Sequence, residues 1–247
     1  MTDAPVLYDS RNRIATITIN RPDKRNALNG AVVDALEAAW HRFNASDDRV
    51  ALLTASGDKA FTVGADLNEI PHDLWRAIPG VGVAVEKPIV AAVSGWVVGG
   101  GVLFAQFADI LVATEDATFL YPEARVGFSG GLISSLAARI PHKIALEFIL
   151  LGEPLSARRA HEVGFVNQVV PAGQHIAAGR AYAEKLADLA PLVLQLLKRF
   201  TAELIPKGPS ERAAIARRSV EFVTRSADLQ EGIAAFREKR PPQFTGR

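Results

Sequence analysis

The chain has 247 residues, 49% hydrophobic and 22% charged, which suits one large globular domain with or without an appendage. Its formal net charge of +1 provides no overall field that would favour nucleic acid or an anionic membrane as a partner. Cysteine is absent, which excludes disulfides, thiolate catalysis and cysteine metal sites. The histidines are scattered without i,i+4 spacing, and neither a dinucleotide-binding glycine motif nor a Walker lysine occurs. We therefore expect no metal and no resident cofactor.

The N-terminal sequence lacks the basic start and apolar stretch of a signal peptide. The longest apolar runs, of about ten residues, are too short to span a bilayer. We therefore expect a cytoplasmic protein without a membrane-spanning segment.

Hydrophobic periodicity predicts strands and helices in turn along most of the chain. The predicted strands lie at 14–19, 50–54, 89–93, 109–113, 118–120 and 166–170. The predicted helices that accompany them lie at 31–44, 102–107, 132–140 and 142–151, with a short one after residue 156. Asn29 and Ser156 are plausible N-caps for two of these helices. Residues 67–86 have a helical pattern that prolines and glycines interrupt.

After residue 171 the pattern is entirely helical, with helices predicted at 174–189, 192–204, 209–225 and 229–239. We therefore expect an α/β core over residues 1–190 and a C-terminal helical oligomerisation region over residues 191–247. A helical piece of roughly 55 residues has little core of its own, so its faces should pack against the α/β core or another subunit.

Three consecutive glycines, Gly99-Gly100-Gly101, follow a predicted buried strand and open a buried helix. Glycine destabilises both the strand and the helix. One reason to keep it there is that the backbone must come close to another group, such as a ligand. Unpaired N–H groups at a helix N-terminus suit a phosphate or a developing oxyanion. A second loop, Val63-Gly64-Ala65, also follows a strand, so the two loops together could offer two N–H groups to one carbonyl oxygen. The alternative is a pair of unrelated tight turns.

Glu123 follows Pro122 in a short break between apolar segments. Apolar neighbours would raise the pKa of its carboxyl group towards that of a useful general base. The alternative, and the commoner fate of a lone glutamate, is a carboxylate in a surface loop.

The segment Gly127-Phe128-Ser129-Gly130-Gly131 matches the G-x-S-x-G sequence motif of the nucleophile elbow. That elbow needs a strand directly before it, and Pro122 intervenes. No aspartate lies between Ser129 and the last histidine, so a triad would have to draw on Glu147, Glu153 or Glu162 with His161 or His175. A glycine turn that enters a helix is therefore the preferred interpretation, and a serine hydrolase is a remote one.

Taken in order, the segments of this chain resemble the crotonase (enoyl-CoA hydratase/isomerase) superfamily along nearly the whole length. The matching segments are 19–22 with 26–29, 60–67, 87–95 with the three glycines, 108–110, 119–127, 155–157 with 164–170, and a tail from Glu231 to Phe244. Their order and number make the resemblance specific. It implies an α/β fold, a spiral of repeated β-β-α units with a C-terminal helical region, assembled as a homotrimer or a dimer of trimers.

The resemblance also implies a substrate and a set of site residues. The substrate would be an acyl-CoA thioester of fatty acid metabolism, so coenzyme A would be part of the substrate and not a cofactor. The oxyanion hole falls on the backbone N–H groups of Ala65 and Gly100, where a thioester enolate would be stabilised. The positions expected to contact coenzyme A or the acyl group are Lys24, Arg25, Ala27, Leu28, Val63, Asp66, Leu67, Gly99, Leu103 and, from a neighbouring subunit, Phe236 and Lys239.

One departure from the family pattern decides the expected chemistry. The family's hydratases hold and split water between two carboxylates, of which Glu123 matches the second and Leu103 occupies the position of the first. A leucine cannot hold or activate water, so we expect an isomerase-type proton shuttle by Glu123. Residues 127–131 and 67–86 also depart from the pattern, which leaves the acyl specificity open.

Two other interpretations remain open. The first is hydration, or a related lyase or hydrolase reaction, with Glu69, Ser129 or Asp66 in place of the missing carboxylate. The second is a non-catalytic acyl-CoA-binding subunit that has kept the fold and lost the chemistry.

Overall fold

The computed structural model describes residues 4–247, whose apolar segments form two β-sheets. The larger sheet contains β1 (Val6–Arg11), β2 (Ile14–Ile19), β3 (Val50–Ala55), β5 (Ile89–Val93), β7 (Ile110–Thr114) and β10 (Gln168–Val170), in the order β1-β2-β3-β5-β7-β10. The smaller sheet contains β4 (Ala60–Thr62), β6 (Trp96–Val98), β8 (Thr118–Leu120) and β9 (Leu155–Ser156), in the order β4-β6-β8-β9. All neighbouring strands are parallel except β1 on β2 and β9 on β8.

Helices surround the two sheets. They are α1 (Gly30–Ala45), α2 (Gly100–Phe107), α3 (Glu123–Val126), α4 (His142–Leu151), α5 (Ala157–Glu162), α6 (His175–Ala187), α7 (Pro191–Leu204), α8 (Pro209–Thr224) and α9 (Ala227–Glu238). Among residues 4–247, 3-10 turns lie at Pro22–Lys24, Leu74–Ala77 and Leu132–Ala138. Every residue of β3 and β5 is buried, as expected for central parallel strands that are covered on both faces. The predicted α/β class with C-terminal helices is confirmed.

The path of the chain is a spiral that brings three turns to one place. Successive turns run from the larger sheet to the smaller one and then outward: β3 to β4, β5 to β6 and α2, and β7 to β8 and α3. Because β4, β6 and β8 are parallel neighbours, their carboxyl ends lie at the same edge of the smaller sheet. The residues that follow these three strands therefore meet there.

Helix α6 and the larger sheet form a second, smaller core. The side chains of Leu52 and Ala92 lie so close to Gly179 on α6 that any side chain at that position would collide with them. The other buried members of this cluster are Ile14, Val50, Val90, Ala183 and Ala187. The predicted boundary between residues 190 and 191 falls between α6 and α7, and the division into two parts there remains a prediction.

Residues 67–86 differ most from the sequence-based expectation. They form no α-helix, and their one regular element is the 3-10 turn Leu74–Ala77. Pro71 and Pro79 cannot donate helical hydrogen bonds, which explains the irregular path. Two side chains of α1 hold the segment: Trp40 Nε1 donates to Ala77 O at 2.8 Å, and Asn44 Nδ2 donates to Ala84 O at 2.7 Å.

Other differences are smaller. The short strands β1, β4 and β9 were not predicted, and β6 is a strand separate from β5. The helix predicted at 132–140 is a 3-10 turn at Leu132–Ala138. Within residues 4–247 no helix is both long and apolar enough to cross a membrane, and no group of three or more metal-ligating side chains comes together.

Candidate active site

A cavity of about 880 Å³ lies where the residues after β4, β6 and β8 meet. Ten of the fourteen residues that the resemblance assigns to the site line it: Lys24, Ala27, Val63, Ala65, Asp66, Leu67, Gly99, Gly100, Leu103 and Glu123. Of the other four, the exposed Arg25 and the buried Leu28 belong to the same loop as Ala27 but do not line the cavity. Phe236 and Lys239 lie on the exposed end of α9, away from the cavity wall of their own chain.

A buried asparagine shapes the loop that carries Ala27. Asn26 has a φ of 57° and a side chain that is almost fully buried. Its Nδ2 donates to Ser56 O at 2.9 Å and to Ala60 O at 2.8 Å, while its Oδ1 accepts from Arg21 N. These bonds satisfy backbone groups that would otherwise be buried without partners, so they fix the loop to the end of β3 and the start of β4.

The same loop is hydrogen-bonded to the turn that carries Ala65. Leu28 N donates to Gly64 O at 2.8 Å, and Asp66 N donates to Leu28 O at 2.8 Å, which forms a short parallel bridge. Val63 N donates to Arg25 O at 3.2 Å. The residues expected at the nucleotide and the residues expected at the thioester are therefore joined through one backbone network.

Each glycine of the turn after β6 has a close neighbour. Gly99 has a φ of +53°, and a Cβ atom there would lie 3.1 Å from Glu123 Oε1. A Cβ atom on Gly100 would lie 2.7 Å from Leu74 Cδ2 and 2.8 Å from Leu28 Cδ1. A Cβ atom on Gly101 would lie 2.6 Å from Thr62 Cγ2. Close approach of other groups thus accounts for all three glycines.

Two backbone N–H groups of the cavity wall are unused. Within residues 4–247, the N–H groups of Ala65 and Gly100 donate to no other group of the chain. Gly100 is the first residue of α2, where an N–H group has no acceptor in its own helix. Both residues line the cavity, which makes their N–H groups candidate donors to one ligand oxygen.

Glu123 begins the one-turn helix α3, and its side chain is partly buried in the cavity wall. Its Oε2 has no hydrogen-bond partner among the described residues. Burial raises the pKa of this carboxyl group to about 7. Near neutral pH the group therefore exists in both forms, so it can accept a proton and give it back.

Two other residues of the cavity wall bear on the chemistry of Glu123. Leu103 of α2 is buried and presents an apolar side chain to the cavity. Tyr121 is also buried, and burial together with the charge of Glu123 raises the pKa of its hydroxyl to about 12. That hydroxyl therefore stays protonated at neutral pH. Sequence reasoning missed Tyr121, although its position two residues before Glu123 was a usable signal.

Each of the three substitutes considered for the missing carboxylate has a hydrogen-bond partner in the chain. Asp66 lines the cavity, but its carboxylate accepts a hydrogen bond from Arg21 at 3.0 Å. The pKa of this carboxyl is lowered, mainly by a hydrogen bond from the Asn68 N–H and next by the bond from Arg21. Glu69 Oε2 accepts from Asn29 Nδ2 at 2.6 Å and lies off the wall. Ser129 is exposed, and its Oγ accepts from Gly131 N at 3.1 Å.

The nucleophile elbow suggested by the letters around Ser129 is not assembled. Ser129 follows the helix α3 and not a strand. His161 Nδ1 lies 2.9 Å from Val166 O, and His175 is buried at the start of α6. No hydrogen bond found within residues 4–247 links either histidine to Ser129, so the geometry gives no support to a serine hydrolase.

Several wall residues had no sequence signal. Trp75 and His72 come from the irregular segment 67–86, and Leu132 comes from a 3-10 turn. Ser210 and Arg217 come from α8, which sequence reasoning assigned to the C-terminal helical region. Their places in the wall depend on how distant segments pack, which periodicity does not report.

The raised pKa of Glu123 has a consequence for stability. The unfolded chain releases this proton near pH 4.5 and the folded chain near 7, so the stabilisation from the protonated group is lost as the pH rises between these values. Glu123→Gln avoids the cost of a buried charge. We expect the variant's gain in unfolding free energy over the wild type to grow from pH 5 to pH 8, by at most about 3 kcal/mol.

Denaturant unfolding at several pH values measures this gain. Glu147→Gln on α4 is the matched control, since Glu147 is exposed. A gain that stays constant between pH 5 and pH 8 would contradict the prediction.

Comparison with known proteins gives the family. The family profile described as Enoyl-CoA hydratase/isomerase matches residues 9–247. A protein named (E)-benzylidenesuccinyl-CoA hydratase, from Thauera aromatica, is 34% identical over 98% of this chain and 99% of its own. The 2,3-dehydroadipyl-CoA hydratase of Escherichia coli K12 is 31% identical over 98% of this chain and 99% of its own. Among solved structures, a carnitinyl-CoA hydratase from Mycobacterium avium is 35% identical over the whole of both chains, with a TM-score of 0.77.

These matches extend over nearly the full length of the chain, and they agree with the observed fold. They confirm the resemblance that the sequence motifs indicated. The chain therefore belongs to the enoyl-CoA hydratase/isomerase family, the crotonase superfamily, and is an acyl-CoA enzyme of that type.

Proposed function

We propose that this enzyme is an enoyl-CoA isomerase, in which Glu123 moves a proton along the acyl chain of a CoA thioester. One observation carries the proposal: Glu123 is a partly buried carboxylate with a pKa near 7, in a cavity whose wall has a leucine at position 103. The other carboxylate of the described wall, Asp66, is paired with Arg21.

The proposed reaction moves a double bond by one carbon. The thioester oxygen accepts hydrogen bonds from the N–H groups of Ala65 and Gly100. Glu123 removes a proton from C2, and the C–H electron pair forms a dienolate whose negative charge lies on the thioester oxygen. The protonated Glu123 then returns the proton to C4, so the double bond moves from C3–C4 to C2–C3. A pKa near 7 serves both steps, since the same group must be base and then acid.

We propose that Lys24 and Arg25 lie near the CoA phosphates, and that Ala27, Leu28 and Val63 present backbone to the adenine. Lys24 is exposed and lines the cavity, and the exposed Arg25 follows it in the chain, which supports this placement. We also propose a homotrimer or a dimer of trimers in which Phe236 and Lys239 reach the nucleotide of a neighbouring subunit. Phe236 is 87% exposed in the single chain, an unusual position for an aromatic side chain without a partner.

Hydration is the second candidate, because the relatives and the solved structure compared above are named hydratases. It needs a group that holds water opposite Glu123. Asp66 is the carboxylate that the described wall offers besides Glu123, and it would have to leave Arg21 to serve.

Isotope labels separate the two reactions. In D₂O enriched with ¹⁸O, we expect the double bond of a 3-enoyl-CoA substrate to shift without ¹⁸O in the product. Deuterium enters C4 to the extent that protonated Glu123 exchanges with solvent before it returns its proton. Leu103 cannot bind the water that hydration adds, which is the reason for this expectation. Mass spectrometry and NMR of the product measure both labels. A 2-enoyl-CoA is tested in parallel, since hydration adds water to that double bond. Uptake of ¹⁸O at C3 of its product, with no shift of the double bond in the 3-enoyl-CoA, would replace isomerisation with hydration. If neither the double bond moves nor ¹⁸O is taken up, both reactions are overturned.

A further inference from the structure

Arg217 is a cation of the cavity wall to which the proposed function assigns no role. Arg217 of α8 reaches the cavity beside Trp75, whereas Lys24 reaches it from the loop 22–28. The side chains of Leu28 and Leu74 meet at Gly100, and Leu74 directly precedes Trp75 in the chain. The segment that contacts Arg217 therefore also approaches Gly100.

Two contacts hold the guanidinium of Arg217 in place. Its central carbon lies 5.5 Å from the centre of the Trp75 ring, within the range of a cation–π interaction. Its Nε donates to Glu221 Oε1 at 3.0 Å. In the part of the chain that the structure describes, no hydrogen bond uses the two terminal nitrogens of Arg217. That edge of the guanidinium is the one that binds a carboxylate through two parallel hydrogen bonds.

Arg217 shares its carboxylate partner, Glu221, with a second arginine. Glu221 Oε2 also accepts from Arg225 at 3.3 Å, so one carboxylate is shared between two guanidinium groups. Arg225 lies 3.5 Å from Glu37, which also pairs with Arg76. Because the Glu221 carboxylate is shared and meets only Nε of Arg217, the two terminal nitrogens of Arg217 are left without an acceptor among the described residues of the cavity wall.

Much of the cavity wall that contains Glu123 and Arg217 is apolar. Leu103, Leu132, Ala213 and Ala214 belong to it, and they suit the methylene groups of an acyl chain. An acyl chain in this cavity shares it with a cation that has two free donors.

We propose that Arg217 is a specificity residue, which selects acyl-CoA thioesters that carry a carboxylate at the distal end of the acyl chain. This inference rests on the proposed function, since it takes the acyl group to lie on the α8 side of Gly100.

Binding of saturated thioesters tests the inference, because these compounds do not isomerise. The probes are three pairs of equal chain length that end in a methyl group or a carboxylate: butanoyl- and succinyl-CoA, hexanoyl- and adipyl-CoA, and octanoyl- and suberyl-CoA. By calorimetry we expect the wild type to bind the carboxylate member of at least one pair about tenfold more tightly. Arg217→Gln should remove that preference and leave the affinity for the methyl member unchanged.

Arg212→Gln is the matched control, since Arg212 is an exposed arginine on the same helix and does not line the cavity. It should retain the wild-type preference. Equal affinities in all three pairs would overturn the inference and leave the proton transfer by Glu123 in place. A uniform loss of affinity for both members in Arg217→Gln would also overturn it, because it would give Arg217 a purely structural role. If no thioester binds, the inference fails together with the proposed function.

Discussion

Glu123→Gln is expected to lower the rate of double-bond movement by about 10²–10⁴-fold, the usual contribution of a positioned acid–base group. Glutamine has the shape of glutamate and fills the same place beside Gly99, but it cannot accept the C2 proton. The N–H groups of Ala65 and Gly100 are untouched, so binding of the thioester should change little. The loss should therefore appear in kcat and not in KM. Absorbance of the conjugated thioester product measures the rate.

Glu147→Gln controls for the loss of one negative charge and should retain the wild-type rate, because Glu147 is exposed on α4. If Glu123→Gln retains the wild-type kcat, the base is another group. His72, which lines the cavity and is exposed, would be the next residue to replace.

The second large effect is expected for Gly99→Ala. The backbone at Gly99 has φ +53° and ψ −110°, a conformation that alanine adopts only with strain, at a cost of about 1–3 kcal/mol. The added methyl group would also lie 3.1 Å from Glu123 Oε1. Movement of this carboxylate by about 1 Å is enough to lower kcat about a hundredfold. We therefore expect loss of both stability and activity, measured by denaturant unfolding and by the product assay.

Gly164→Ala separates the two effects. Gly164 has a φ of +82°, and a Cβ atom there would meet nothing within 4 Å. The control should lose stability through backbone strain and keep its kcat. If Gly99→Ala loses no more activity than Gly164→Ala, then contact between Gly99 and Glu123 has no role in positioning the base.

The parts of the fold that the sequence predicts well are those with a local cause. Alternating β-branched residues specify β2, and Asn29 caps α1 as expected, since its side chain accepts from Val32 N. The helix predicted at 142–151 agrees with α4 in both bounds. Each of these signals lies within a few residues of the element that it specifies.

Local signals fail where pairing or packing decides the structure. Three residues are enough for β4 because β6 lies beside it, and no periodicity can be read from so short a segment. Residues 67–86 follow their path because α1 holds the carbonyl groups of Ala77 and Ala84. Their apolar residues gave a helical pattern, but their prolines prevented the helix.

The candidate site shows the same division. Glycine loops and a glutamate after a proline are visible in the sequence, and the structure places them around one cavity. Arg217 and Trp75 are more than 140 positions apart, and neither belongs to a motif. Their contact arises from the packing of α8 over the segment that follows β4, so only the folded chain shows it.

The cavity wall combines two kinds of chain segment, and this has an evolutionary consequence. The turns after β4, β6 and β8 are fixed by the pairing of three strands, so most substitutions there would disturb the fold together with the reaction. The wall from α8 belongs to a helix outside both sheets, where Ser210, Ala213 and Arg217 can change without breaking a strand pair. Substitutions in α8 can therefore change which acyl groups the enzyme accepts, while the residues that carry out the reaction stay the same.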